Sequence, residues 1–149
     1  MNEDIFVDTV ERVLQLMCIC SDPRLRPARG GWSVIEIAGH LVDSATNNIQ
    51  KLQRYRPGEE PAFPGYDQDS FVERAAYQDF DFNSLLSLWY NLNKLFLHTY
   101  LHIPEEDRTS KVKIGEKQAV TIEQLLNDYL IHLEKHEQQI EAVIAARVH

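Results

Sequence analysis

The sequence has no long apolar run and contains little cysteine, glycine or proline. Its 149 residues include two cysteines, six glycines and six prolines. Nowhere do about 18 apolar residues follow one another, as a membrane-spanning helix requires. The first residues, Met-Asn-Glu-Asp-Ile-Phe, lack the basic start and apolar stretch of a signal peptide. We therefore expect no membrane association and a cytoplasmic location.

Positive charge is also scarce. The chain has 15 lysines and arginines against 23 aspartates and glutamates, which gives a formal net charge of -8. An acidic surface repels a phosphate backbone, so we expect no nucleic-acid partner. Cys18 and Cys20 lie two residues apart in a predicted helix and point in different directions, which excludes a bridge between them. We interpret both as buried free thiols.

The chain is rich in helical periodicity. Hydrophobic residues make up 44% and charged residues 26% of the sequence, which is typical of a globular protein. A chain of this length suits one domain, covering residues 1–149. Apolar residues recur every three or four positions in four segments, which predicts four amphipathic helices. These run from Asn2 or Asp4 to Cys20, from Ser33 to Leu52, from Phe82 to His102 and from Thr121 to Ile144.

Capping residues mark the predicted helix starts. Ser33 with Glu36, and Thr121 with Gln124, have the spacing of capping boxes, in which each side chain bonds the backbone N–H of the other residue. Asn2 or Asp4 can cap the first helix. In the third helix the period predicts that Leu88 and Leu95 face inward with the other apolar residues.

The connections between helices indicate the topology. Tyr55–Asp81 contains three prolines and two glycines, which exclude one continuous helix, although Ser70 and Glu73 can cap a short helix over Phe71–Tyr77. Lys111–Ala119 is typical of a small strand turn or of an ordered loop. The 27-residue connection is long enough to span a helix, so the third helix can run parallel to the second. The sequence therefore predicts an all-α four-helix bundle with an up-down-down-up course.

Two histidines four residues apart stand on the inner face of the last helix. At this spacing the Cβ atoms of His132 and His136 lie roughly 5 to 6 Å apart, so both rings can reach one metal ion. Alone, such a pair is more typical of core histidines. His40 supplies a third ring, because a rise of about 1.5 Å per residue puts it level with His136 if the second and fourth helices are antiparallel. We therefore predict a metal site formed by these three histidines.

A rival pair, His98 and His102, has the same four-residue spacing. In the predicted topology it lies near the far end of the third helix, roughly 14 Å or more along the axis from His40. Histidines also suit the last turn of a helix, where the dipole is negative. We favour that interpretation over a second metal site.

Several segments together are similar to those of the DinB superfamily. The similarity covers roughly Val10 to Ile144, and the order of the segments is more specific than any one of them. The segments are Gly31-Trp32-Ser33-Val34 with Ile37-Ala38-Gly39-His40-Leu41-Val42-Asp43, Phe63-Pro64-Gly65-Tyr66-Asp67 with Phe71-Val72, and His132-Leu133-Glu134-Lys135-His136 with Gln139-Ile140.

This resemblance implies a four-helix bundle and a divalent metal, often nickel or zinc, held by His40, His132 and His136. It also implies a homodimer and a small-molecule substrate. Members of the family include S-transferases that use low-molecular-weight thiols and a thiol-dependent maleylpyruvate isomerase. Many members have no known activity, so the resemblance leaves the substrate open.

The chemistry of such a site is compatible with more than one function. Three neutral imidazoles leave a divalent ion with an open position, as in catalytic rather than closed structural sites. A coordinated water or thiol loses its proton more easily, so both hydrolysis and thiol transfer are possible. We expect substrate to enter beside Tyr55–Asp81. The alternative is a non-catalytic bundle that binds a ligand or a structural metal.

Carboxylates near the histidines are candidates for supporting roles. Asp128 and Glu36 each precede a candidate ligand by four residues, and Asp43 follows His40 by one turn. A carboxylate that accepts the second ring N–H fixes the orientation of a metal-binding imidazole. Each can equally be a solvated surface group. Glu134 lies about 200° around the helix from His132, so we expect it to face solvent and not to act as a general base.

Overall fold

Helices form most of the computed structural model, which describes residues 3–146. The long helices are α1 (Glu3–Cys18), α2 (Val34–Arg54), α4 (Phe82–Leu101) and α5 (Ile122–Ala145). A short helix, α3 (Gln68–Ala75), lies between α2 and α4. Short 3-10 turns cover Tyr77–Asp79 and Glu105–Asp107. Every helix within this range is too short or too polar to span the hydrocarbon core of a membrane.

A small sheet joins two of the connections. Its strands are β1 (Ala62–Phe63), β2 (Lys111–Ile114) and β3 (Val120–Thr121). β1 pairs with β2 in parallel, and β2 pairs with β3 in an antiparallel hairpin. The prediction of an all-α fold was therefore wrong in this detail. Of the two alternatives given for Lys111–Ala119, the structure shows the strand turn. β1, with two residues, is too short to show the alternating pattern that identifies a strand in a sequence.

The helix starts follow the predicted caps in two of four cases. The Ser33–Glu36 capping box opens α2 and the Thr121–Gln124 box opens α5, so both predictions are confirmed. Asp4 lies within the first turn of α1, and the other candidate cap, Asn2, lies outside the described residues.

The start predicted for the short helix was wrong. The structure begins α3 at Gln68, where the carboxylate of Asp67 accepts a hydrogen bond from the backbone N–H of Asp69. Ser70, the predicted cap, donates its hydroxyl to the same carboxylate and lies inside the helix. Asp67 therefore takes the capping position three residues earlier than expected.

The core lies between the long helices. The rings of Phe6, Phe96 and Tyr129 stack with centroids 4.3 to 6.1 Å apart and join α1, α4 and α5. The Tyr129 hydroxyl donates to the Oδ1 atom of Asn93 at 2.6 Å. Asn93 is 1% exposed, and this bond satisfies an amide that would otherwise be costly to bury.

Two leucines of α4 and one cysteine of α1 do not face the direction that was predicted. Leu88 and Leu95 are each 43% exposed, because the buried stripe of α4 passes through Trp89 and Phe96, one position further along the chain. Cys18 is exposed and Cys20 is buried, and both are free thiols. Cys18 is the last residue of α1, where the helix has turned this side chain toward solvent.

Candidate metal centre

His40 is held in the most deeply buried part of the chain. Every residue of α2 from Val34 to Ala45 is buried, and His40 itself is 1% exposed. The indole of Trp32 packs against its ring with centroids 4.9 Å apart. The contact of Trp32 with this histidine was not predicted from the sequence. The imidazole thus lies between Trp32 and the two histidines of α5.

The structure brings all three predicted histidines together. Nε2 of His40 lies 3.2 Å from Nε2 of His132, and Nε2 of His136 lies 3.0 Å from the same atom. One ligand atom from each residue falls within 4.8 Å of the other two. Within residues 3–146 no other group of three histidine, cysteine or acidic side chains meets this condition.

The donor set fits a divalent ion. Zinc–imidazole bonds of about 2.0 to 2.1 Å in tetrahedral geometry place neighbouring donor nitrogens roughly 3.3 Å apart. The two nitrogen separations at His132 are close to this value. Ring nitrogens that converge in this way leave each other's lone pairs poorly satisfied unless a cation or shared protons lie between them. The fit rests on these separations and on the donor type.

Burial also keeps the rings in the form that binds metal. Burial, and after it the charges of His136 and His132, lowers the pKa of His40 from 6.5 to about 3. Burial, with His136 and Lys135, lowers the pKa of His132 to about 4. Burial likewise lowers the pKa of His136, although its hydrogen bond to Gln139 opposes the shift. At neutral pH the three imidazoles are therefore uncharged and protons compete weakly for their lone pairs.

Neutral side chains, rather than carboxylates, lie beside the second ring nitrogens. Oε1 of Gln139 lies 2.7 Å from Nδ1 of His136, so an Nδ1–H group there donates to Gln139 and leaves Nε2 as a ligand atom. The hydroxyl oxygen of Ser44 lies 3.5 Å from Nδ1 of His132. Nδ1 of His40 is buried without a hydrogen-bond partner among the described residues.

Glu36 and Asp128, two of the proposed supporting carboxylates, do not contact the histidines. Glu36 accepts from the backbone N–H of Ser33 and from the guanidinium of Arg26, at 3.1 and 2.9 Å. It therefore caps α2 and holds the loop before it. Asp128 is exposed. The four-residue spacing misled the prediction, because Glu36 is already engaged at the helix start.

The third candidate, Asp43, forms part of a different contact. The Tyr77 hydroxyl donates to Oδ1 of Asp43 at 2.5 Å, and Oδ2 is buried without a partner in the part of the chain that the structure describes. Burial raises the pKa of Asp43, against the effect of this hydrogen bond. The ring of Tyr77 lies where a Cβ on Gly39 would be, with 2.1 Å between them. Asp43 thus fixes Tyr77 against α2 beside His40.

His98 and His102 are separate from this cluster. Both are exposed, and Nδ1 of His102 lies 2.8 Å from the backbone oxygen of His98 at the end of α4. This oxygen also accepts from the backbone N–H of His102 at 3.2 Å, and its second lone pair is available to a ring N–H at the helix end. This geometry supports the interpretation as a helix end.

A cavity of about 260 Å³ adjoins the cluster. Its walls come from α2, from the β2–β3 hairpin and from α5, and both Ser44 and His132 line it. The Tyr55–Asp81 connection, expected to flank the substrate path, contributes none of the described lining residues. It reaches the β2–β3 hairpin through the pairing of β1 with β2, and its Tyr77 packs against α2 at Gly39.

Comparisons with known proteins agree with the observed fold. The sequence model of the DinB superfamily matches residues 7–140. Two solved structures share the fold, at sequence identities too low to show more. YfiT from Bacillus subtilis, described as a probable metal-dependent hydrolase with an unusual four-helix bundle topology, is 20% identical with a TM-score of 0.80, over 94% of this chain and 84% of its own.

The second solved structure is a mycothiol-dependent maleylpyruvate isomerase, which is 11% identical with a TM-score of 0.72. The match covers 92% of this chain but 58% of the isomerase, so the chain spans little more than half the length of that protein. No protein of curated function matches the sequence significantly.

Proposed function

The chain belongs to the DinB superfamily, and from this premise we propose that it is a metal-dependent enzyme whose divalent ion is held by His40, His132 and His136. The observation that carries the proposal is the convergence of three neutral imidazoles, two buried and one half-buried, on one point, with ring nitrogens 3.0 and 3.2 Å apart. Nickel or zinc is the ion that the family resemblance implies, and imidazole donors suit both metals.

The proposed reaction is hydrolysis or thiol S-transfer on a small molecule. A divalent ion held by three neutral ligands supplies Lewis acidity and lowers the pKa of a coordinated water or thiol. The chain itself orients the rings, through Gln139 at His136 and Trp32 at His40. The hydrolase proposal draws on YfiT, and the thiol proposal on the mycothiol-dependent isomerase. Catalytic residues other than the histidines stay unassigned.

Activity of matched variants tests this proposal. Purified protein is loaded with nickel or zinc and assayed for conjugation of small thiols to an activated aryl halide and for hydrolysis of activated esters. We expect turnover from the wild type and from His102→Ala, and none above background from His40→Ala. Equal turnover by His40→Ala and the wild type would eliminate the metal mechanism.

A non-catalytic bundle is the second candidate. The histidines come from α2 and α5, so a bound ion would tie two helices together as a structural metal does. Thermal unfolding with and without chelator separates the two candidates. A large loss of stability on metal removal, together with no activity in either assay, would favour the structural role.

The up-down-down-up course is part of the proposal. Residue numbers rise together along α1 and α5, since Phe6 stacks on Tyr129 and Arg12 pairs with Glu137. Along α2 and α5 the residue numbers run in opposite directions. His40 lies against the pair His132 and His136, and Ser44, one turn later on α2, lies against His132, the earlier of the two. Order is also opposite along α1 and α4, where the paired residues are Phe6 with Phe96 and Glu11 with Tyr90. These contacts support helices that run up, down, down and up.

We also propose that residues 1–149 form one domain and that two copies associate. The exposed Leu88 and Leu95 stand seven residues apart on α4 and so lie on one outer face of that helix. Burial of this face against a second copy would support a homodimer. Sedimentation of the wild type and of Leu88→Glu tests this, with a dimer expected for the first and a monomer for the second.

A further inference from the structure

Lys51 is a buried cation without a counter-ion among the described residues. It lies in the last turn of α2 and is 8% exposed. Lysine is almost never buried unless it is paired, since removal of an ammonium group from water is costly. The negative end of the helix dipole favours a cation at this position, but that effect needs no burial. The side chain therefore requires another explanation.

The surroundings of Lys51 point to a ligand. It lines the cavity that also contains His132, and Lys117 of the β2–β3 hairpin lines the same cavity. Burial, and after it the charge of Lys117, lowers the pKa of Lys51, so the two ammonium groups are close enough to repel each other. Asp128 also lines the cavity, but within residues 3–146 it forms no ion pair with either lysine.

We propose that this cavity binds an anionic group of the substrate, a carboxylate or a phosphate, between Lys51 and Lys117 beside His132. The proposal rests on the proposed function for the role of the histidine cluster. The molecule as a whole, with a net charge of -8, repels anions, whereas the charged lining of this cavity, two lysines and Asp128, carries a net positive charge. An anion there would offset the repulsion between the lysines and leave the rest of the substrate facing the histidines.

The size of the cavity limits the ligand. Its volume of about 260 Å³ is slightly below the range of roughly 300 to 1,000 Å³ typical of drug-sized ligands. The lining includes apolar side chains, such as Leu125 and Val120, beside the charged ones. We therefore infer a small organic acid or phosphate ester rather than a polymer.

Calorimetric titration tests the proposal. The probes are succinate, inorganic phosphate and, as a neutral analogue, succinamide, titrated into metal-loaded and chelator-treated protein. We expect both anions to bind the wild type and succinamide not to bind. The anion with the higher affinity identifies the class of group. Lys51→Gln should weaken binding at least about tenfold, since a hydrogen bond to a charged group is lost. Lys117→Gln should weaken it about two- to fivefold because Lys117 is exposed.

A matched control removes the same charge elsewhere. Lys94, over the ring of Tyr90 on α4, is not part of the cavity lining, so Lys94→Gln should bind both anions as the wild type does. Lys51→Met provides a second check on folding. Removal of an unpaired buried charge should raise the melting temperature while it weakens anion binding. A merely structural lysine would give the opposite change in melting temperature.

The metal content of each sample separates this proposal from the proposed function. One outcome is that metal-loaded Lys51→Gln binds both anions as tightly as the metal-loaded wild type. This result would overturn the anion site and leave the metal centre intact. Another outcome is that the protein takes up no metal and that Lys51→Gln still weakens anion binding. This result would support the anion site and refute the metal enzyme. No binding of either anion to the wild type at about 10 mM would refute the anion site.

Discussion

Two pairs of histidines have the same spacing in this protein and very different surroundings. His132 and His136 are four residues apart on α5, with ring centroids separated by 4.4 Å. His98 and His102 are four residues apart on α4, with ring centroids separated by 4.2 Å. The first pair lies beneath a third ring, that of His40, whereas the second pair faces solvent at a helix end.

The difference between the pairs shows what spacing alone does not provide. Helix geometry brings two rings together in both places, but the α5 pair is buried at His136 and half-buried at His132, and it meets a donor from another helix. Burial removes competing water and protons, and the donor on α2 completes a set of three. At the end of α4 a ring nitrogen instead lies against a backbone oxygen. A candidate metal site is therefore distinguished by its depth and its third ligand.

Of the changes that test the difference between the two pairs, removal of His40, the third donor, should have the largest effect, a loss of metal affinity. We expect His40→Ala to weaken zinc or nickel binding by roughly a thousandfold, since one of three proposed ligands is lost. His102→Ala, which removes the corresponding imidazole of the exposed pair, should bind metal as the wild type does. Competition with a chromophoric chelator measures both affinities. Equal losses in the two variants would show that the pairs do not differ as proposed.

The second effect is on the pH dependence of stability in the metal-free protein. The pKa values of His40 and His132 are lowered in the folded state to about 3 and about 4, so below pH 6.5 the unfolded chain binds protons that the folded chain does not. Stability should therefore fall as the pH falls, by about 2 kcal/mol in total between pH 6.5 and 5.5. Urea unfolding at both values measures the change.

The matched controls for this pH dependence are two double variants. His40→Gln with His132→Gln should lose most of the dependence, because no depressed pKa remains at those positions. His98→Ala with His102→Ala should keep it. If the variant without His98 and His102 lost the pH dependence instead, the proposal that His40 and His132 cause it would be refuted.

A smaller loss of metal affinity should follow from removal of Gln139, the neighbour of the His136 ring. Gln139→Ala removes the group 2.7 Å from Nδ1 of His136 and should weaken metal binding about tenfold, since such partners orient the ligand. Gln139→Glu retains an acceptor and should preserve affinity. Metal titration followed by calorimetry provides the measurement. An affinity unchanged in Gln139→Ala would show that the ring needs no such support.

The smallest effect is expected at the exposed pair itself. His102→Ala should change the free energy of unfolding by less than about 0.5 kcal/mol, as is usual for surface positions and helix ends. Chemical denaturation at pH 7 without metal measures this. A loss of 2 kcal/mol or more would show that the helix end depends on His102 far more than the present contrast implies.

The sequence was sufficient to predict the long helices and the meeting of the histidines. Helical period and capping residues placed α2 and α5 correctly, because both signals are local. The height of His40 relative to His136 followed from helical rise and the assumed antiparallel course, and their rings do lie together. That the three residues hold a metal stays a proposal.

Contacts between distant segments could not be predicted from local patterns. The partners of Glu36 and Asp43 depend on how the loop before α2 and the turn at Tyr77 fold back onto that helix. β1 lies about 50 residues before the strand with which it pairs. The cavity likewise combines residues from three elements, so nothing in the order of Lys51, Lys117 and His132 along the chain places them together.

In the β2–β3 hairpin, the residue that anchors it and the residues that line the proposed binding cavity are different, which suits engineering. Val112 is fully buried and fixes the hairpin to the core, whereas the exposed Lys117 and Gln118 stand at the turn and line the cavity. Turn residues of a hairpin tolerate exchange and insertion more readily than its paired strands do. A library of grafted turns between Gly115 and Val120 is therefore a means to retune which molecules the protein accepts while the helices stay untouched.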